Sequence, residues 1–463
     1  GRYPNDRIMK YGPIIILPLA AILLTSGLRQ GIKKQPESLP LTDFKFEVEE
    51  VHMPGIVKLD ANRISGHVEA LDSFFLKLTA LEQKEGNLPV TIFQLGDSHV
   101  QAGTYPNQVR TRLQRIFGNA GRGLIVPLRL TGTNQSADYT ISSPNSWEAS
   151  RCTQLHPEEE PGLSGMALIG SDNTVSFTIT DKESSFDRIR AFHDSLAPLL
   201  QAPAELTDDM QCPLGDTPES TYIPLNQSVS SVTLQGPITD PHYNHQIYYG
   251  FSLENGQPGI LYHSMGINGN TFTAMNRNPQ IIRQATALLP DLIVISLGTN
   301  DSYGRNFNAE YVGSQIDKLV GLIRQYFPSQ PLLLTTPIEC SQTVRVRGRS
   351  VRQPNPNSRK VRDQILRIAA KYQLPVWDFF TVAGSEGAIA RWYEAGLANS
   401  DRIHLTHEGY RLQGELLCDA LIRAYNDYKG FSGNSAIAPN THLIEKLPQI
   451  PLDEVVSTPQ KQQ

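Results

Sequence analysis

Cysteine is scarce in this 463-residue sequence, with four residues, Cys152, Cys212, Cys340 and Cys418, too few and too scattered for a disulfide scaffold or a zinc ribbon. Charge is thin as well. Asp, Glu, Lys and Arg make up 19% of the chain, against about 25% in an ordinary globular protein, which excludes a highly charged disordered chain. Lys and Arg number 41 and Asp and Glu 46, so the net charge of -5 gives no global pointer to nucleic acid or another polyanion. The apolar stretch 13–24 (PIIILPLAAILL) has 12 residues, short of the roughly 20 that a spanning helix requires.

What the stretch does have is the layout of a secretory signal. Arg7 and Lys10 precede it, the small residues Thr25, Ser26 and Gly27 follow it, and Met9-Lys10 reads like a translation start. Pro18 in its middle argues against a buried core helix, and no Cys follows to suggest a lipoprotein. Residues 1–30 are therefore expected to be a signal peptide, or an N-terminal anchor tethering the chain to a membrane, and the protein to be exported to the periplasm or cell envelope.

Glycine and proline are plentiful, 35 and 32 residues, which implies many turns and loops, and the length allows two or three domains. Phe44–Val51 alternates like an edge strand and Ile64–Leu81 carries apolar residues at helical spacing. Val90–Leu95 reads as a strand, Gly96-Asp97-Ser98-His99 as a tight turn and Tyr105–Phe117 as a helix. Asp291–Leu297 is a buried-strand run closed by Gly298-Thr299-Asn300-Asp301, before a helix over Glu310–Tyr326. Pro331–Thr336 and Pro375–Phe380 read as strands flanking a helix over Arg359–Tyr372, and Thr406 as the N-cap of a helix over Glu408–Tyr425. Alternation of this kind predicts an α/β domain whose parallel sheet is covered on both faces.

Residues 130–259 break that rhythm. Thr174–Thr180, Ser228–Leu234 and Gln246–Leu253 are β-type runs among Gly, Pro, Asn and Asp, and a structureless loop of this length is improbable in a compact domain. The expected organisation is an α/β domain split over 40–129 and 260–428, an inserted β-rich domain over 130–259, and a flexible tail over 430–463. In an exported protein Cys152 and Cys212, both in the insertion, are the natural disulfide candidates.

Ser98 stands between a strand and a helix, where a sharp turn can present a hydroxyl at the carboxyl edge of a parallel sheet. A serine nucleophile needs a base and the base an orienter; Asp401-Arg402-Ile403-His404, before the last helix, carries both types on one loop. Gly266-Ile267-Asn268-Gly269-Asn270-Thr271 and Gly298–Asp301 also follow strand runs. The amides of Ser98 and Gly269 and the Asn300 side chain are the right donors for a developing oxyanion.

In this order, and each at a strand end, the four segments resemble the blocks of the SGNH/GDSL hydrolases. The resemblance implies a three-layer α/β/α, flavodoxin-like fold, with Ser98 as nucleophile, His404 as base, Asp401 as its orienter, and Ser98, Gly269 and Asn300 as the oxyanion hole, with no metal or cofactor. The first block departs from the family pattern in reading GDSH, and the stretch from Ser98 to Gly269 is far longer than one α/β unit needs. Together with Gln101-Ala102-Gly103, the 117–123 segment FGNAGRG, Trp377-Asp378 and the Trp392 to Leu397 segment, this is similar to exported bacterial peptidoglycan and polysaccharide O-acetylesterases with an inserted carbohydrate-binding-like β-sandwich.

The expected partner is thus an acylated polysaccharide and not nucleic acid, and the expected reaction is deacetylation through an acyl-enzyme. A neutral imidazole base implies activity rising through about pH 6–7, where histidine ordinarily titrates. A polysaccharide O-acetyltransferase with the same triad and a glycan-binding protein on an inactive scaffold are the alternatives. His99 and Asp97, beside the nucleophile, read as structural, and His242 and His245 as ordinary strand residues. The cations of Arg345–Arg352, with Arg359, Lys360 and Arg362, read as a solvated loop, or as an attractor of anionic glycan if they overhang the site.

Overall fold

The computed structural model describes residues 55–172, 174–194, 199–208, 219–237 and 246–431. The leader, the expected strand at Phe44–Val51, Cys212, His242, His245 and the tail beyond 431 lie outside them. Its centre is a six-stranded sheet in the order Ile64–Gly66, Pro375–Trp377, Leu332–Thr335, Leu292–Ser296, Pro89–Gly96, Gly259–Gly266. All neighbours run parallel except the short edge strand Ile64–Gly66.

The period-2 alternation of these strands sorts their side chains into two cores. Phe93, Leu95, Ile293, Ile295, Leu332 and Leu334 face one core with helix Ala309–Tyr326, whereas Val90, Ile92, Leu292, Val294 and Leu333 face the other with helices Thr104–Phe117 and His407–Tyr428. Apolar residues on both faces are what a parallel sheet covered by helices on both sides demands. Helix starts follow the capping rule: Thr406 Oγ1 accepts from Gly409 N, and Asn308 Oδ1 accepts from Tyr311 N. Among the described residues no helix is long and apolar enough to cross a membrane.

The inserted segment folds as two antiparallel sheets. One orders Ser231–Pro237, Thr174–Asp181 and Tyr139–Ser142; the other orders Glu148–Arg151, Met166–Gly170, Gln246–Glu254, Phe186–His193 and Ser220–Val229. Phe177 of the first meets Tyr248 and Phe251 of the second, each at 5.2 Å between ring centres, and Trp147 stacks on Phe177 at 4.9 Å. Aromatic packing between two sheets in this way makes the insertion a sandwich.

Several sequence boundaries move. Gly123–Ile125 already pairs with Gln246–Glu254, so β structure belonging to the insertion begins before residue 130. Ile64–Leu81 is a strand, a 3₁₀ turn and then helix Asp72–Glu82, because Ile64–Gly66 finds an edge partner in Pro375–Trp377. The strand expected over Pro375–Phe380 stops at Trp377: Asp378 binds Arg362, Thr336 and Thr381, and helix Phe379–Val382 begins. Ser228–Leu234 splits at Ser230, where the chain passes from one sheet of the sandwich to the other. The cationic loop is a hairpin, Ser341–Val346 with Arg349–Pro354. Cys152 is buried, with its Sγ 3.6 Å from Asn270 Oδ1, and its expected disulfide partner Cys212 lies outside the described residues.

Candidate active site

Sheet register assembles the site. Gly96 pairs with Gly266 on one side and with Ser296 on the other, so three strands end level and their following loops meet at one edge. Those loops carry Ser98, Gly269 and Asn300. Gly266 must lack a side chain, because a Cβ there would lie 2.2 Å from the Gln101 amide nitrogen and 2.8 Å from Asp97 O. The turn that bears Ser98 therefore packs directly on the neighbouring strand end.

Ser98 opens the short helix Ser98–Gln101, capped by the Asp97 carboxylate, which accepts from His99 N at 3.0 Å. The Ser98 Oγ lies 2.9 Å from His404 Nε2, and His404 Nδ1 lies 2.7 Å from Asp401 Oδ2. The other oxygen, Asp401 Oδ1, accepts from the amides of Ile403 at 2.9 Å and His404 at 3.0 Å. A bridge between Ala398 and Leu405 closes this loop, and Asn399 N donates to His404 O at 2.8 Å. Burial pushes the Asp401 carboxyl up, but the hydrogen bonds from the His404 ring and the two amides outweigh it and hold the group below the usual carboxylate range. A hydroxyl, an imidazole and an ionised carboxylate joined in this order can pass a proton from the hydroxyl to the ring and stabilise the resulting imidazolium.

The loops that meet at this sheet edge carry hydrogen-bond donors with capacity to spare. The amides of Ser98 and Gly269 donate to no protein acceptor among the described residues. Gly269 has φ +81°, a left-handed conformation suited to glycine. The Asn300 amide gives one hydrogen to Asn270 O at 3.0 Å and keeps another.

Residues outside the expected triad and oxyanion hole hold this arrangement. Buried Asn270 donates to Gly96 O at 3.0 Å and accepts from Thr271 N at 3.0 Å, tying the second loop to the end of the first strand. Gln101 accepts from Asn268 N at 2.6 Å and donates to Thr133 Oγ1 at 3.0 Å and Asn134 Oδ1 at 2.9 Å, so the loop beneath the sandwich is sewn to the Gly269 turn. His99 lies under His404 at 5.5 Å between rings, and its Nδ1 is 3.0 Å from Tyr410 OH. Burial, with His404 adding to it, pushes His99 down to about 3, so it stays neutral and serves as a wall. Trp377 and Trp392 are buried, donating to Asn62 Oδ1 and Ala383 O, and act as core residues. One turn beyond Ser98, from Ala102 and Thr104 to His407 and Arg411, runs a polar cleft of about 660 Å³ between the α/β layer and the insertion.

Residues 231–412 match the GDSL-like Lipase/Acylhydrolase family. Over that span the chain is similar to GDSL-like lipases and acylhydrolases. The match supports carboxylic ester hydrolysis as the class of activity. The matched span leaves out residues 96–99, which the insertion separates from the rest in sequence and the sheet register returns in space. A solved peptidoglycan O-acetylesterase shares the fold over 79% of this chain and 99% of its own, with a TM-score of 0.63 and 20% identity, a share too large for the α/β layers alone. A lipase/acylhydrolase from Enterococcus faecalis covers 35% of this chain and 76% of its own at 19% identity and TM-score 0.27. A GDSL-like lipase from Bacteroides thetaiotaomicron covers 35% and 75% at 21% identity and TM-score 0.26. No curated protein matches the chain.

A further buried carboxyl follows Asn300 in the chain. Asp301 accepts from Phe272 N at 3.1 Å through Oδ1, and its enclosed Oδ2 has no protein partner among the described residues. Burial pushes its carboxyl up to about 7, against about 3.9 for a free aspartate. With the folded-state value raised, the stability contributed by the neutral form is present below about pH 4 and is lost as pH rises through 7. Asp301→Asn keeps the acceptor and cannot ionise, so its melting temperature relative to wild type is expected to rise by a few degrees between about pH 4.5 and 8. Thermal melts of both proteins across that range check this, and a constant difference contradicts it.

Proposed function

We propose that this chain is an exported serine esterase that removes O-acetyl groups from a bacterial cell-wall polysaccharide, with peptidoglycan as the leading substrate. The observation that carries the reading is the continuous path from Asp401 through His404 to Ser98, at 2.7 and 2.9 Å. Fold similarity to a peptidoglycan O-acetylesterase over 79% of the chain, more than the α/β layers alone, supports the glycan. The signal-like segment 13–24 supports export.

In this mechanism Ser98 Oγ attacks the acetyl carbonyl as its proton passes to His404 Nε2. The carbonyl oxygen, now negative, takes hydrogen bonds from the Ser98 and Gly269 amides and the second Asn300 hydrogen. Collapse breaks the bond to the sugar oxygen, which receives the proton from His404. Water repeats the sequence on the acetyl-Ser98 ester, giving acetate and free Ser98.

The test of substrate is acetate released from O-acetylated peptidoglycan compared with acetylated xylan: preference for peptidoglycan is expected, and release from xylan alone overturns the assignment. Asn300→Ala removes one oxyanion donor, so kcat on p-nitrophenyl acetate is expected to fall about 10²–10³-fold with KM little changed. A loss confined to KM would place Asn300 in ground-state binding instead.

A further inference from the structure

The cations of segment 345–362 divide into two groups with different surroundings. In helix Asn357–Lys371, Arg359 meets Glu386 at 2.6 Å, Arg362 meets Asp378 at 2.6 Å, and Lys360 lies over the Phe307 ring. These are ordinary stabilising contacts. Arg345, Arg347, Arg349 and Arg352, on the hairpin, have no ion pair among the described residues, and residues 341–354 contain no Asp or Glu.

The hairpin itself contributes little to the core. All of Arg349–Pro354 is exposed, and Val346 and Val351 remain 49% and 42% exposed. A free-standing two-stranded hairpin is marginal in water. This one is held at its base by the loop that carries Asp401: Ser341 N donates to Arg402 O at 2.9 Å, and Arg352 donates to Ser400 O. Tyr303, three residues after Asn300, donates to Ser341 O at 2.6 Å. The arm is thereby fixed to both catalytic loops at the sheet edge.

Its tip is chosen at a conformational cost. Arg347 and Gly348 form the two-residue turn between Val346 and Arg349, with φ +48° and +78°. A turn with both φ values positive favours Asn-Gly or Asp-Gly, and a long side chain in the left-handed region is disfavoured. A cation nonetheless occupies the position, beside Arg349 and Arg345. Register places Arg345 opposite Ser350 and Thr343 opposite Arg352, so Arg345 and Arg352 share one face with hydroxyl residues between them.

Arginine's planar fork matches carboxylate, and the base of the arm is anchored to the loop that carries Asp401 and His404. We infer that the hairpin Ser341–Pro354 is a docking arm for a carboxylate-bearing glycan strand, gripping the polymer whose ester enters the site. This rests on the esterase reading above and adds the charge of the substrate and the element that reads it.

The variant Arg345→Gln/Arg347→Asn/Arg349→Gln tests it, with Arg352 kept because it holds Ser400. The expected result is unchanged kcat/KM on p-nitrophenyl acetate, KM about tenfold higher on O-acetylated peptidoglycan with kcat retained, and loss of the wild type's salt sensitivity on that polymer. Activity on neutral acetylated xylan should not change. Wild-type KM and salt dependence in the variant, or an equal loss on xylan, overturns the inference. Sedimentation with de-O-acetylated peptidoglycan, in a Ser98→Ala background, reads the arm without catalysis: binding lost with the three arginines supports the arm even if the esterase reading fails. Equal loss of binding to phosphatidylglycerol vesicles would make the arm a membrane contact and also overturn the inference.

Discussion

Ser98→Ala is expected to lower kcat on p-nitrophenyl acetate by about 10⁴-fold or more, to the level that binding and oxyanion donors alone sustain. The expectation follows from position. Ser98 Oγ is the hydroxyl that His404 Nε2 touches, at 2.9 Å, and deleting it leaves no atom to carry the acetyl group. His99, the adjacent candidate, cannot substitute: its Nδ1 is engaged with Tyr410, and burial holds the ring neutral behind His404. The fold should not register the change, since Ser98 is only partly buried and its turn is fixed by the Asp97 cap and by backbone bonds. Acetyl-enzyme trapping by mass spectrometry on wild type and variant checks the assignment: a labelled Ser98 in wild type is expected, and hydrolysis surviving in the variant would show another nucleophile.

The second large effect is expected at Asp401→Asn, about 10³–10⁴-fold in kcat with KM nearly constant. The loop dictates how the new amide must sit. Asp401 Oδ1 accepts from the Ile403 and His404 amides, so the asparagine carbonyl has to take that place and its NH₂ must face His404 Nδ1. Turning the amide over would set an NH₂ against two backbone donors. The ring is then forced to accept at Nδ1 and carry its proton on Nε2, where it cannot receive one from Ser98. Asp401→Glu should also fail, because the longer side chain cannot serve the ring and both amides from one tight loop. A variant with wild-type kcat would show that the carboxylate only shapes the loop.

Much of the α/β layer was legible because its strands are continuous apolar runs with turns at known offsets. Val90–Leu95 and Asp291–Leu297 appear as strands within one residue at each end, and Tyr105–Phe117 as a helix. The expected catalytic positions fall together because strand ends meet at one sheet edge, a property of parallel sheets that sequence order alone conveys. Other features depend on partners distant in sequence. Gly123–Ile125 is too short to read as a strand, and its partner lies beyond residue 246. The roles of Asn270 and Gln101 are set by Gly96 O and by the 133–134 loop, so their own neighbours in the chain carry no trace of them. In the hairpin the density of arginine obscured a Val-Arg alternation and an Arg-Gly turn that were β signals in themselves.

The neck of the insertion bears on how the enzyme assembles. Pairing Gly259–Gly266 with Pro89–Gly96 in a flexible chain means closing a very long loop, at an entropic cost that grows with the logarithm of its length. Gly123↔Leu253 backbone pairing brings the two ends of that loop together within the sandwich itself. Once the sandwich has formed, only residues 96–123, which carry helix Thr104–Phe117, and the short arm 253–259 remain to be ordered. A preformed insertion would thus shorten the closure of the edge strand Gly259–Gly266, and the sequence separation between Ser98 and Gly269 overstates the distance the folding chain must search.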